Sequence, residues 1–141
     1  MSEAWTADKM LDLGTRHARL EHEQDLEGVM STLVPDPVYE FHPIGLCMRG
    51  ESLVRRYYEE LFRGFVSAAR NTELVDEWVN RSSVAQEYRV ELEIDGTLES
   101  HRIVGVLFRQ GDLLGGERVY ASERCIRLMT GSVFDALNPM S

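Results

Sequence analysis

The chain is short of positive charge. Its 15 lysines and arginines face 24 aspartates and glutamates, for a formal net charge of -9, and such a balance opposes phosphate backbones and anionic bilayer surfaces. The one dense basic stretch, Arg118, Arg124 and Arg127, is interleaved with Glu117 and Glu123. No nucleic-acid partner is expected. Long apolar runs are missing as well, since no window approaches the roughly 18 consecutive apolar residues of a membrane span; no membrane partner is expected either. Cysteine is scarce: Cys47 and Cys125 stand alone, with no CxxC spacing and no neighbouring His or Cys, so neither a zinc site nor a disulfide framework is indicated and both read as reduced, structural thiols. Residues 1–5 lack the basic flank and apolar run of a secretion signal. A cytoplasmic location is expected.

What remains is ordinary globular material, 43% hydrophobic and 28% charged, in a length that suits one core and a single domain over residues 1–141. Thr6 is placed to cap a helix over 7–23, with Met10, Leu11, Gly14, His17 and Ala18 at helical spacing. Asp25 caps a shorter helix with the stripe Leu26, Val29, Met30 and Leu33, stopped by Pro35 and Pro37. A strand over 38–42 follows. After Gly50 the pattern Leu53, Val54, Tyr57, Tyr58, Leu61, Phe62 and Phe65 predicts a strongly amphipathic third helix. From Thr72 onward the period changes to two, and strands are expected around the turns Asp95-Gly96 and Gly111-Asp112, with residues 138–141 a frayed tail. Helices followed by a meander of strands predict an α+β fold: N-terminal helices packed on a strongly curved antiparallel sheet that encloses a pocket.

Tight turns set register. A two-residue turn at Asp95-Gly96 puts Tyr88 opposite Ile103 and Val90 opposite His101. A second at Gly111-Asp112 puts Gly105 opposite Arg118, Ile103 opposite Tyr120, and His101 opposite Ser122. One face then carries Gln86, Tyr88, Val90, His101, Ile103, Gly105, Arg118, Tyr120 and Ser122, a mixture of apolar and convergent polar groups suited to a small molecule. The other face, with Glu87, Arg89, Val104, Val106, Val119 and Ala121, suits a subunit contact. A one-residue bulge in either hairpin swaps these assignments.

Two stretches, His42-Pro43-Ile44-Gly45 with Arg49-Gly50, and Gly116-Glu117-Arg118-Val119-Tyr120-Ala121-Ser122 leading to Gly131, resemble segments of the nuclear transport factor 2-like superfamily. Within it, the similarity is to the SnoaL-like and ketosteroid isomerase-like branches. The resemblance implies a cystatin-like cone and a pocket, with no single reaction, because the fold hosts isomerases, cyclases, dehydratases, hydrolases and binders. It puts His42 where ketosteroid isomerases carry their general base, His17 near their oxyanion-binding Tyr, and Gly105 where a protonated Asp donor stands. Ser122 falls at the SnoaL-like acid position.

Two functions from different classes follow. One is cofactor-independent proton transfer on a small apolar or polycyclic, oxygenated substrate, with His42, His17, His101 and Ser122 as catalytic candidates and Tyr57, Tyr88, Arg118 and Tyr120 as ligand contacts. The other is a non-catalytic binding or regulatory module using the same pocket. The histidines lack carboxylate spacing for a metal, no cofactor is expected, and a homodimer through the open sheet face is.

Overall fold

The computed structural model describes residues 4–140. Most of the segment scanned for a secretion signal, and Ser141 of the expected tail, lie outside the described residues. Helix α1 spans Ala7–His22, and the Thr6 side chain accepts from the Lys9 backbone N–H as expected of its cap. Met10, Leu13, Gly14 and His17 form its buried stripe. Gly14 lets the helix lie close to the sheet, because a Cβ there would overlap the side chain of Val84. Asp25 caps α2, Leu26–Ser31, through the Gly28 N–H.

Strand β1, Leu33–His42, starts earlier than the sequence suggests. Pro35 and Pro37 are tolerated because the pairing of β1 breaks register between Leu33 and Val38, where no ladder N–H is demanded. After β2, Leu46–Arg49, helix α3 occupies Glu51–Glu60 and winds on as a π-helical segment, Leu61–Val66. Its buried face of Val54, Tyr57, Tyr58, Leu61 and Phe62 is the expected stripe. Strands β3 (Ala69–Val79), β4 (Ser83–Ile94), β5 (Thr97–Gln110) and β6 (Leu113–Tyr120) follow. The chain then makes helix α4, Glu123–Thr130, a 3-10 turn at Gly131–Ala136 and a two-residue β7, Asn138–Pro139, which pairs with β2 where a frayed tail was expected.

The strands form one seven-stranded sheet in the order β3-β4-β5-β6-β1-β2-β7. All neighbours are antiparallel except β1 and β6, which run parallel. The α+β arrangement of helices against a curved, mainly antiparallel sheet is therefore the architecture of the chain. Met10, Tyr39, Phe41, Tyr58, Leu92 and Ile126 are among its fully buried residues.

The two hairpins differ in a way that decides the site. Asp95 and Gly96 both have positive φ (50° and 78°), the geometry of a two-residue reversal matched to strand twist. The expected register of β4 and β5 holds along the whole pair, with Tyr88 opposite Ile103 and Val90 opposite His101. Strands β5 and β6 begin in the expected register, Gln110 opposite Leu113 and Arg109 opposite Leu114, but then slip, so that Phe108 faces Gly116. The extra residue is Gly115, a bulge packed beneath Phe108 and Gln110. Beyond it Gly105 faces Val119 and Val104 faces Tyr120, which corrects the expected pairings of Gly105 with Arg118 and Ile103 with Tyr120. Because side chains alternate, Arg118 and Tyr120 turn to the outer face of the sheet while Glu117, Val119 and Ala121 turn inward.

Candidate functional site

A cavity of about 240 Å³ lies between α1, the α3 and π-helical segment, and the inner face of β3 to β6. Its walls are mostly apolar, among them Leu61, Phe65, Val90, Ile103, Leu107 and Met129. The exposed lining residues His22 and Thr72 mark a mouth between the end of α1 and the start of β3. The polar groups that reach it are His17, Glu21, Tyr57, Gln86, Tyr88 and Glu117.

At its floor runs an ordered chain of hydrogen bonds. Thr32 Oγ1 donates to the Val29 carbonyl at 2.6 Å, so toward His17 it can only accept, and His17 Nδ1 carries the proton that meets it at 2.7 Å. His17 Nε2 is then an acceptor. Tyr58 donates to it at 3.1 Å, and the Tyr39 hydroxyl donates in turn to Tyr58. Burial and the nearby Arg16 charge lower the His17 pKa to about 3, in keeping with a neutral ring held in one tautomer. Tyr39 and Tyr58 are raised well above the ordinary phenol value, chiefly by burial.

Glu21 stands one helical turn after His17, its carboxylate 3.7 Å from Nε2. Burial raises its pKa to about 7. Glu117 enters from β6, and its carboxyl covers Gly105, where a Cβ would overlap it. Burial and the Glu21 charge push Glu117 well above the carboxylate range. Tyr57 is 1% exposed and its hydroxyl, which lines the cavity, makes no hydrogen bond among the described residues. Tyr88 donates to Gln86 at 3.2 Å, Gln86 donates to Glu77 at 2.7 Å, and burial raises the Tyr88 hydroxyl to about 12. Two carboxyls, Glu21 raised to about 7 and Glu117 raised well above the ordinary range, thus face one apolar chamber that no lysine or arginine among the described residues lines.

Of the catalytic and ligand-contact candidates named from sequence, His17, Tyr57 and Tyr88 line this cavity and His42, His101, Arg118, Tyr120 and Ser122 do not; Gln86, Val90, Ile103 and Gly105 of the expected pocket face line it too. His42 points to the outer face, its Nε2 3.0 Å from Glu40 and its ring stacked on Tyr120 at 4.8 Å. Strand alternation explains it, since Tyr39 and Phe41 take the inner positions. Arg118 and Tyr120 are outward because of the Gly115 bulge; Arg118 lies over the Phe108 ring. Ser122 is the N-cap of α4, its Oγ accepting from the Cys125 N–H at 3.0 Å, so it does not meet His101. His101 keeps the inner parity of β5 but lies near its other end, bonded at 2.9 Å to Glu99, which Arg124 of α4 also holds. Glu21 and Glu117 were not legible as site residues. Glu117 carried one usable signal: a glycine in mid-strand at 105 leaves room for a side chain from the neighbouring strand. Among the described residues no group of three or more His, Cys, Asp or Glu is arranged to hold a metal.

This architecture is the nuclear transport factor 2-like fold. No family model and no curated protein matches the sequence. Among solved structures the chain is similar to a nuclear transport factor 2-like protein of Anabaena variabilis (TM-score 0.68, 18% identity, covering 87% of this chain and 95% of that one). It is also similar to PrhC of Penicillium brasilianum (TM-score 0.67, 13% identity, 92% and 96% covered). A third is a protein of Catenulispora acidiphila with a ketosteroid isomerase-like fold in complex with trimethylamine (TM-score 0.63, 16% identity, 85% and 92% covered). At these identities the likeness concerns the fold. No helix among the described residues is long and apolar enough to cross a membrane.

Proposed function

We propose that the chain is a single-domain, cytoplasmic small-molecule protein that moves a proton on an apolar, oxygenated ligand held in the α1–α3 cavity, without a cofactor. One observation carries this reading: the Glu21 carboxyl lines an apolar chamber one helical turn from His17, and burial there raises its pKa to about 7, where a carboxyl both takes and gives a proton at little cost. The base is therefore Glu21 and not His42. Tyr58, tied to His17, fixes the floor beside Glu21, and the unpartnered Tyr57 hydroxyl is free to donate to a ligand oxygen. His17 is a positioning residue here, since both its ring nitrogens are occupied.

The test is hydrogen–deuterium exchange next to the carbonyl of small cyclic ketones and enones, followed by NMR in deuterated buffer. The wild-type chain accelerates exchange of at least one of them. Glu21→Gln lowers that rate by a factor of about 100 or more, as expected for loss of a general base, and Tyr57→Phe weakens binding of the same ketone. Exchange that survives Glu21→Gln removes Glu21 from the chemistry. The locked His17 ring favours a second reading, a binding module with no turnover, which gains if ligands bind and no ketone exchanges.

The outer sheet face supports a homodimer. Ala85, Val104 and Val106 are half-buried at its centre, Tyr120 and Trp78 stand 42% and 50% exposed, and the pairs Arg89–Glu73 and Arg102–Glu87 rim it. An apolar centre with a charged margin has the composition of a subunit contact.

A further inference from the structure

We infer that the ligand of this cavity carries a positive charge, an organic ammonium group on an otherwise apolar body, and that the Glu117 carboxyl receives it. The inference rests on the cavity being the binding site and not on the proton-transfer step. Several other glutamates of this chain are answered by arginine: Glu73 by Arg89, Glu93 by Arg70, Glu99 by Arg124. Glu117 is not. It has neither a hydrogen bond nor an ion pair among the described residues, and the Gly115 bulge sends the adjacent Arg118 to the other side of the sheet. A carboxyl kept in an apolar enclosure without a partner is costly, and a neutral ligand would be served as well by an amide or a hydroxyl at that position. Gly105 clears the space in which the carboxyl sits.

The remaining lining points the same way. The titratable groups facing Glu117 are Glu21, His17 and His22 from α1, Tyr57 from α3 and Tyr88 from β4. Burial keeps the His17 ring neutral, and no lysine or arginine is among the lining residues, so an anionic ligand finds no countercharge there. Tyr57, Tyr88 and Phe65 supply aromatic surface of the kind that ammonium groups favour. Tyr57 adds a hydroxyl that lines the chamber and makes no hydrogen bond among the described residues. A bare divalent ion fits less well. It needs about six oxygen ligands, whereas two carboxyls face this space and His17 has no free nitrogen.

The test uses three probes of one shape, benzylamine, benzyl alcohol and benzoate, titrated calorimetrically into the full chain at pH 7 and low salt. Benzylamine is expected to bind at least tenfold more tightly than benzyl alcohol, and benzoate not at all. Glu117→Gln, nearly isosteric and uncharged, should cut the amine-over-alcohol ratio below threefold. Alcohol binding as tight as amine, or a ratio unchanged in Glu117→Gln and in the Glu21→Gln/Glu117→Gln double variant, overturns the inference and leaves the cavity as a neutral-ligand site. Binding of none of the three overturns both this and the ligand-site reading. The wild-type comparison decides the sign of charge preference even if a variant fails to fold.

Discussion

Glu21→Gln should stabilise the protein at alkaline pH and do nothing at acid pH. The ordinary glutamate pKa of 4.5 is raised to about 7 in the folded chain, so between those values the native state binds a proton that the unfolded chain has released. Stability from this group is then fully present below about pH 4.5 and is lost as pH rises through about 7. At about 1.4 kcal/mol per pH unit the full loss amounts to about 3 kcal/mol. That figure is an upper bound, because the side chain is 30% exposed at the cavity mouth and solvent screens part of it. A glutamine has the same shape and no charge to desolvate. For a chain of this length 1 kcal/mol corresponds to about 4 °C in Tm, so Glu21→Gln gains about 5 to 10 °C at pH 8.5 and close to zero at pH 4.5.

His17 requires care in the same measurement. Its pKa falls from 6.5 to about 3 on folding, so the unfolded chain binds the extra proton below pH 6.5, and stability from this group declines as pH falls through that window. The wild-type profile therefore sums two opposed slopes between about pH 4.5 and 6.5. The difference between wild type and Glu21→Gln largely removes His17, which both proteins share. Thermal or urea unfolding at pH 4.5, 6, 7 and 8.5 reads that difference directly. A variant less stable than wild type at pH 8.5, or one whose gain is the same at every pH, refutes the claim that an unneutralised carboxylate is forced into this cavity.

The other expectations concern the framework and the outer face. Gly116 has φ +148° and a Cβ there would collide with the Val38 carbonyl at the parallel β1–β6 seam, so Gly116→Ala should cost more than about 3 kcal/mol or yield no folded protein by circular dichroism; a Tm within 3 °C of wild type contradicts it. His42→Ala removes a side chain 25% exposed and stacked on Tyr120, outside the cavity, and should leave ligand affinity and ketone exchange within twofold, as read by calorimetry and NMR. Val106→Glu places a charge at the centre of the half-buried outer face and should turn a sedimenting dimer into a monomer without unfolding it; a wild-type monomer at micromolar concentration removes the dimer altogether.

The helices before the sheet were legible because amphipathic spacing and caps act locally. Thr6, Asp25 and the stripe from Val54 to Phe62 need no knowledge of the rest of the chain. The β4–β5 register was legible for the same reason, as Asp95 and Gly96 accept the positive φ that a two-residue turn imposes. Helix α4 went unread although its signal was present, with Ser122 as cap and Cys125, Ile126 and Met129 at helical spacing. An unbulged register puts Ser122 opposite His101, and that carries the strand pattern through Ser122, past the end of β6 at Tyr120.

The site was half legible, and a single residue separates the two halves. Pairings near the Gly111-Asp112 turn follow from local chemistry, but in Leu114-Gly115-Gly116-Glu117 nothing local decides whether Gly115 continues the ladder or bulges out of it. The structure supplies a non-local reason. Gly116 must lie flat against the Val38 carbonyl where β1 joins β6, and Gly115 must lie under the Phe108 ring. The alternation beyond them is thus set by a strand nearly eighty residues earlier in the chain. In the unbulged register the Arg118 guanidinium would point into the chamber, a charge that Glu117, facing outward, could not neutralise. In the bulged register the cation goes to solvent, over Phe108 and beside Glu40, and the carboxyl goes inside. Two adjacent residues of opposite charge exchange faces through one inserted glycine, and that exchange gives the cavity its acidic character.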